Sequence, residues 1–270
     1  MTLLPHEYLD AVVSIEEGTA KDSKYIATGF MVSFHLGHGL WQREDPYKVF
    51  LVTNRHVFEK RKRVMLRFRT TKQDGEKLQI DLVDKKGKKN WHEHRDTRVD
   101  IAVAPVPIAD PVRDYIERFS FLEEAIAFKE DIHNLAITQA DEVFAIGFPA
   151  GLAGEEKHYA IVRSGIIARL DDEILDKESS FLIDSYMSAG NSGGPVVLKP
   201  SLYSISGTKA VNKAYLIGVV SSYIPHEDVP AGSKTHKPRA ALKENSGLAW
   251  VIPMDCVRNI VHTSFAGSEI

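Results

Sequence analysis

The sequence predicts an all-β chain with helix confined to two places. Apolar residues come in short runs that alternate or sit between turn signals. Examples are Thr28-Gly29-Phe30-Met31-Val32-Ser33-Phe34, Val64-Met65-Leu66-Arg67-Phe68 and Leu216-Ile217-Gly218-Val219-Val220. Period-two patterning of this kind marks strands. Helical spacing is confined to Val112, Tyr115, Ile116, Phe119, Leu122 and Ile126, and to the stretch after Pro253.

Bulk properties narrow the function. At 270 residues the chain is long enough for one large domain or two small ones, with ample core. Its 43% hydrophobic and 26% charged content is ordinary for a soluble globular protein. A formal charge of −3 argues against a polyanionic partner such as nucleic acid. The one cysteine, Cys256, excludes an intrachain disulfide and suits a reducing compartment. The N-terminus has neither a basic n-region nor an apolar h-region, and no apolar run reaches bilayer length. The expectation is a cytoplasmic protein without a membrane partner.

The elements then follow in order. Residues 8–15 read as a first strand and residues 28–34 as a second, with Phe30, Val32 and Phe34 on one face. Gly37-His38-Gly39 opens a turn-rich loop flanked by His35, with both histidines at the surface. Residues 49–53 form the strand that delivers His56. A basic segment runs from Lys60 to Lys89. It reads either as a patch for nucleic acid or an acidic partner, or as a solvated hairpin edge whose lysines discourage strand addition. Alternation of Val64, Leu66 and Phe68 with Met65, Arg67 and Arg69 favours the hairpin. Trp91-His92-Glu93-His94 lacks the spacing of a helical metal motif and reads as a surface loop. Residues 111–129 read as one or two helices, with Pro111 suited to a first turn. Further strands are expected at 142–149, 159–167, 181–186, 216–222 and 247–253, and a helix at 253–263. The polar stretch 225–246 reads as a long loop.

The chemistry centres on Ser188-Ala189-Gly190-Asn191-Ser192-Gly193-Gly194-Pro195. A serine among glycines on a tight turn exposes its hydroxyl, and the glycines let a substrate carbonyl approach the main chain. The N–H groups of Gly190 and Ser192 are placed to converge as an oxyanion hole. A serine needs a base, and the base an orienter. His56 ends the run Phe50-Leu51-Val52-Thr53-Asn54-Arg55, and Asp100 heads Ile101-Ala102-Val103. Asp96 competes for the orienter role, but an apolar strand follows Asp100 directly. The same glycines satisfy G-x-S-x-G, the nucleophile elbow. That motif needs a helix after the serine, whereas Gly193-Gly194-Pro195-Val196-Val197 reads as a strand.

With His56, Asp100 and Ser192 in this order, the chain resembles the chymotrypsin/trypsin-like serine proteases over about Val12 to Ile260. The nearest likeness is to the protease domain of the bacterial high-temperature-requirement branch. The resemblance implies two perpendicular six-stranded antiparallel β-barrels with the triad between them. Residues 1–110 would carry His and Asp, and 111–135 would be a helical connection. Residues 136–270 would carry Ser and a C-terminal helix. It implies a serine endopeptidase acting on polypeptides through an acyl-enzyme, with no metal or other cofactor. No PDZ-like second domain is expected to follow, and this departs from most of that branch. Val219-Val220-Ser221 resembles the strand on which a substrate backbone pairs. Tyr186 stands six before the serine, where trypsin-type enzymes have an aspartate. Ser221, Ser222 and Tyr223 would form one wall, and Gly247 would leave the pocket open, so small or apolar side chains are expected at the cleaved position.

Asn191 replaces the aspartate that pairs with a new N-terminus in digestive members, so control is expected instead from the loops at 149–154 and 225–246. Unrestrained proteolysis in a cytoplasm would be hazardous, so gating by a protein partner or ligand is expected. Two alternatives share the motifs: a retired site that only binds peptides, and an esterase or other acyl-transfer enzyme.

Overall fold

Strands dominate the computed structural model, which describes residues 3–20, 22–36, 47–69, 77–106, 120–153, 158–201, 210–228 and 242–265. The chain opens on α1 (His6–Asp10) and then β1 (Val12–Gly18). Residues 8–10 were expected in the first strand. Pro5 before the helix and Glu7 in its first turn favour a helical start instead. The Tyr8 ring packs 4.5 Å from Phe121, and its hydroxyl donates to the Ala214 carbonyl at 2.9 Å.

The first half contains β2 (Ser23–Phe34), β3 (Lys48–Thr53), α2 (Arg55–Phe58), β4 (Arg63–Arg67), β5 (Lys77–Asp81), β6 (His92–Glu93) and β7 (Ala102–Pro105). These strands pair antiparallel in the order β5-β4-β1-β2-β3-β7-β6, and β8 (Phe121–Leu122) adds parallel to β2. Among the described residues this curled sheet is a half-barrel. The β4–β5 hairpin is the one expected of the basic segment. Its cations meet acids, with Lys77 3.0 Å from Glu16, Arg61 3.3 Å from Glu17 and Arg69 2.9 Å from Asp10. Met65, assigned to the polar face, is buried with Val64 and Leu66. His92 and Glu93 form β6 rather than a loop, the His92 ring lying 4.7 Å from Phe265.

The connection, expected as one or two helices at 111–129, is described from residue 120 onward. Residues 111–119, like His38, lie outside the described residues. Phe121 is drawn into β8 by pairing with Val32, and one 3-10 turn (Glu123–Ala125) and α3 (Lys129–Asn134) follow. Here sheet pairing overrides the helical spacing.

The second half closes completely. β9 (Glu142–Gly147), β10 (Ile161–Arg169), β11 (Phe181–Asp184), β12 (Pro195–Leu198), β13 (Leu216–Asp228) and β14 (Leu242–Pro253) form a six-stranded barrel ordered β10-β11-β14-β13-β12-β9. An unexpected helix, α4 (Asp172–Glu178), joins β10 to β11. The Asp171 carboxylate caps it by accepting from the Ile174 N–H at 2.9 Å. Of the stretch expected as a loop at 225–246, the two ends instead prolong the β13–β14 ribbon, pairing Pro225 with Asn245 and Asp228 with Leu242, and residues 229–241 lie outside the described residues. Pro225 sits at a register shift, where its missing N–H is tolerated. Together the halves make an all-β, chymotrypsin-like double-barrel architecture.

Three apolar cores hold it. One fills the first half (Val13, Met31, Leu51, Leu66, Trp91) and one the barrel (Val143, Ile183, Val196, Val251). The third lies between them, where Phe30, Val32 and Phe34 meet Phe148, Val219 and α5 (Met254–Phe265). β2 is buried on both faces because it serves two cores. Cys256 is in the shared core, where burial pushes its thiol up to about 12. Among the described residues no helix is long and apolar enough to cross a membrane.

Candidate active site

His56 lies on α2, the single helical turn that β3 runs into after Thr53 and Asn54. Asp100 precedes β7, the neighbour of β3 in the sheet, so pairing brings the two together. The contact is doubled. Asp100 Oδ2 lies 2.6 Å from His56 Nδ1, and Oδ1 accepts the His56 main-chain N–H at 3.0 Å. The Asp100 carbonyl accepts from Asn54 Nδ2 at 2.8 Å and from the Arg55 N–H at 3.3 Å. Burial works to raise the Asp100 pKa. The hydrogen bonds and charge of His56, with Arg55, outweigh it and hold the carboxyl below its ordinary value. The His56 side chain is 54% exposed, and its Nδ1 is the nitrogen held by Asp100. Asp96 is engaged elsewhere: its hydrogen bond to Arg98, 2.6 Å at the shortest, holds it down at about 2.

Ser192 sits on the turn between β11 and β12, and glycine is needed around it. A Cβ on Gly193 would lie 2.3 Å from both the Thr28 carbonyl and Thr53 Oγ1, and its φ of +82° is left-handed. The turn therefore seats against β2 and β3, with Gly193 beside the Asn54 amide, two residues from His56.

The main chain of the turn is fixed plane by plane. The carbonyls of residues 189–192 all have donors. Ala189 accepts from the Ala150 N–H (2.9 Å), and Asn191 from the Gly194 N–H (2.9 Å). Gly190 accepts from Tyr25 Oη (2.5 Å) and Thr28 Oγ1 (2.7 Å), and Ser192 from the Thr28 N–H (3.2 Å). In a trans peptide the N–H points opposite the carbonyl. Tying back the carbonyls of 189 and 191 turns the N–H groups of Gly190 and Ser192 the other way, and among the described residues neither has an acceptor.

The remaining candidates lie on β13, on β14 and just past the end of β11. Val219 and Val220 bury their side chains, and Val220 spends its main-chain groups on Gly194 and Gly193 at 2.8 and 2.9 Å. Beyond them, Ser222 and Tyr223 pair with Trp250 and Ala249 of β14, while the other edge of β13 at Ser221, Ser222 and Tyr223, past the end of its pairing with β12, has no strand opposite among the described residues. Gly247 has a φ of +84°, and its carbonyl accepts from the Ser185 N–H at 2.9 Å. Tyr186 is 58% exposed and stacks under the Arg163 guanidinium at 5.5 Å. Sequence reasoning missed Tyr25, the hydroxyl of Thr28 and His158. The last stacks on Phe148 at 4.4 Å, with Nε2 2.7 Å from Ser14 Oγ. The only signal was polar residues in apolar company.

Comparison with known proteins identifies the family and the fold. Residues 27–200 match the family model of the trypsin-like peptidase domain. Among solved structures, the chain is similar to an HtrA-type protease, AlgW with tripeptide. That match has a TM-score of 0.52 at 18% identity and covers 97% of this chain and 62% of the other. A serine endoprotease from Yersinia pestis gives 0.50 at 16%, covering 95% and 63%. The MamO protease domain from Magnetospirillum magneticum gives 0.50 at 13%, covering 95% and 98%. The chain thus spans about 62% of the length of the first of these. No curated protein matches it in sequence. The chain belongs to the trypsin-like peptidase domain family, a family of serine-protease hydrolases.

Proposed function

We propose that the chain is a serine endopeptidase working through Ser192, His56 and Asp100. His56 accepts the Ser192 hydroxyl proton as Oγ attacks a peptide carbonyl. Asp100 holds the Nδ1 proton and stabilises the imidazolium, and the N–H groups of Gly190 and Ser192 receive the oxyanion. His56 then protonates the leaving amine, and water hydrolyses the acyl-enzyme. The observation that carries this is the double grip of Asp100 on His56, which fixes the tautomer and presents Nε2 as the base.

The substrate is an extended polypeptide, paired on the β13 edge from Ser221 and bordered by Tyr186 and Gly247. AlgW with a tripeptide and AlgW with a decapeptide are parallels for such a substrate. Gating by a partner or ligand acts through the turn at Pro149–Gly151, whose Ala150 N–H ties the Ala189 carbonyl. The single cysteine is the ground for a cytoplasmic setting. Cell fractionation that recovers the protein elsewhere would remove that part.

The test is hydrolysis of unfolded casein and of p-nitrophenyl acetate by wild type and Ser192→Ala. The reading expects cleavage of both, lost in the variant. Ester hydrolysis alone would point to an esterase instead.

A further inference from the structure

Two side chains of β2 reach across the molecule to one atom of the nucleophile turn. Tyr25 Oη and Thr28 Oγ1 both donate to the Gly190 carbonyl, filling its two lone pairs. Thr28 Oγ1 also accepts the Phe148 N–H at 3.1 Å. The Tyr25 ring packs where a Cβ on Gly151 would lie 3.2 Å away, and its centroid is 6.3 Å from that of Phe148. A Cβ on Gly190 would meet the Phe148 carbonyl at 2.6 Å and Tyr25 Oη at 2.7 Å, so nothing larger than glycine fits beneath the hydroxyl. The peptide held this way, 190–191, lies between the two whose N–H groups would form the oxyanion hole. Its plane sets their relative direction.

We infer that Tyr25 and Thr28 are positioning residues that clamp the 190–191 peptide and so align the N–H groups of Gly190 and Ser192 on a substrate oxyanion. The inference rests on the protease reading for its catalytic consequence, but not for its structural one. Burial pushes the Tyr25 hydroxyl up to about 12, so it remains a donor at any working pH. Both clamp residues belong to the half that carries His56 and Asp100, so the oxyanion site is aligned only when the halves are docked.

Tyr25→Phe keeps the ring and deletes one donor, while Thr28→Val deletes the other. Losing a direct oxyanion donor costs about 100- to 1,000-fold in kcat, and these indirect losses are expected at about 10- to 100-fold. KM should stay within about twofold, because the clamp acts on the transition state rather than on binding. Thr28→Ser should recover most of the loss, with melting temperatures monitored alongside. Amide resonances of Gly190 and Ser192, observed in glycine- and serine-labelled protein, should shift in Tyr25→Phe. Tyr25→Phe with wild-type kcat, or with both resonances unmoved, would overturn the clamp. If wild type cleaves nothing, the protease reading fails, and the resonances still decide the clamp: shifted supports it, unmoved overturns it.

Discussion

His56 is gripped by both oxygens of one carboxylate, and this sets what single substitutions should do. Asp100→Asn keeps the shape but offers an amide N–H where Nδ1–H needs an acceptor. In proteases with this arrangement that change lowers kcat about 10,000-fold. Steady-state kinetics should show a loss of that order in kcat with little change in KM. A second residue reports on stability. Burial, with Arg67 and Lys77 nearby, pushes the His158 ring from its ordinary 6.5 down to about 4, against the pull of Glu16. Between those values the unfolded chain binds a proton that the folded chain does not. Stability from this group is therefore full above 6.5, falls as pH drops towards 4, and is level below. The loss amounts to about 3 kcal/mol. Urea unfolding of His158→Phe should lose this slope, and equal slopes in variant and wild type would contradict the assignment. Asp100 and His56 were legible because His56 ends one apolar run and Asp100 heads another. His158 and Tyr25 were not, since their partners Ser14 and Gly190 are far away in sequence.

At the scale of elements, the nucleophile turn is seated by close backbone approach. Gly193→Ala would drive a methyl into the Thr28 carbonyl and Thr53 Oγ1 while keeping a left-handed φ. The expected cost is about 3 kcal/mol, read as a lower urea midpoint. A midpoint within experimental error of wild type would show that the turn is looser than drawn. Strand positions were largely legible, since alternation reflects one core at a time. Where an element serves two partners the pattern fails. Leu122 and Ile126 carry helical spacing, yet Phe121–Leu122 pairs with β2 and Ile126 bridges to Leu216. The β13–β14 ribbon was hidden because its outer part holds Pro225 and mostly polar residues, and main-chain pairing extends it. α4 was hidden because only Ile174 among its residues is buried.

Across the whole molecule, the proposed function depends on docking. In that reading one half supplies His56, Asp100, Tyr25 and Thr28, and the barrel supplies Ser192. α5 seals the shared core, with the Phe265 ring 4.9 Å from Phe50. The overall architecture was legible through three short motifs in order, although alternation alone does not distinguish one all-β arrangement from another. The central claim is that the docked halves assemble a reactive Ser192 with His56 as its base. The most direct measurement is fluorophosphonate labelling of the intact protein, read by mass, with Ser192→Ala and His56→Ala alongside. The account predicts one adduct on wild type and none on either variant. An adduct that survives in Ser192→Ala, or labelling of His56→Ala at the wild-type rate, would contradict it.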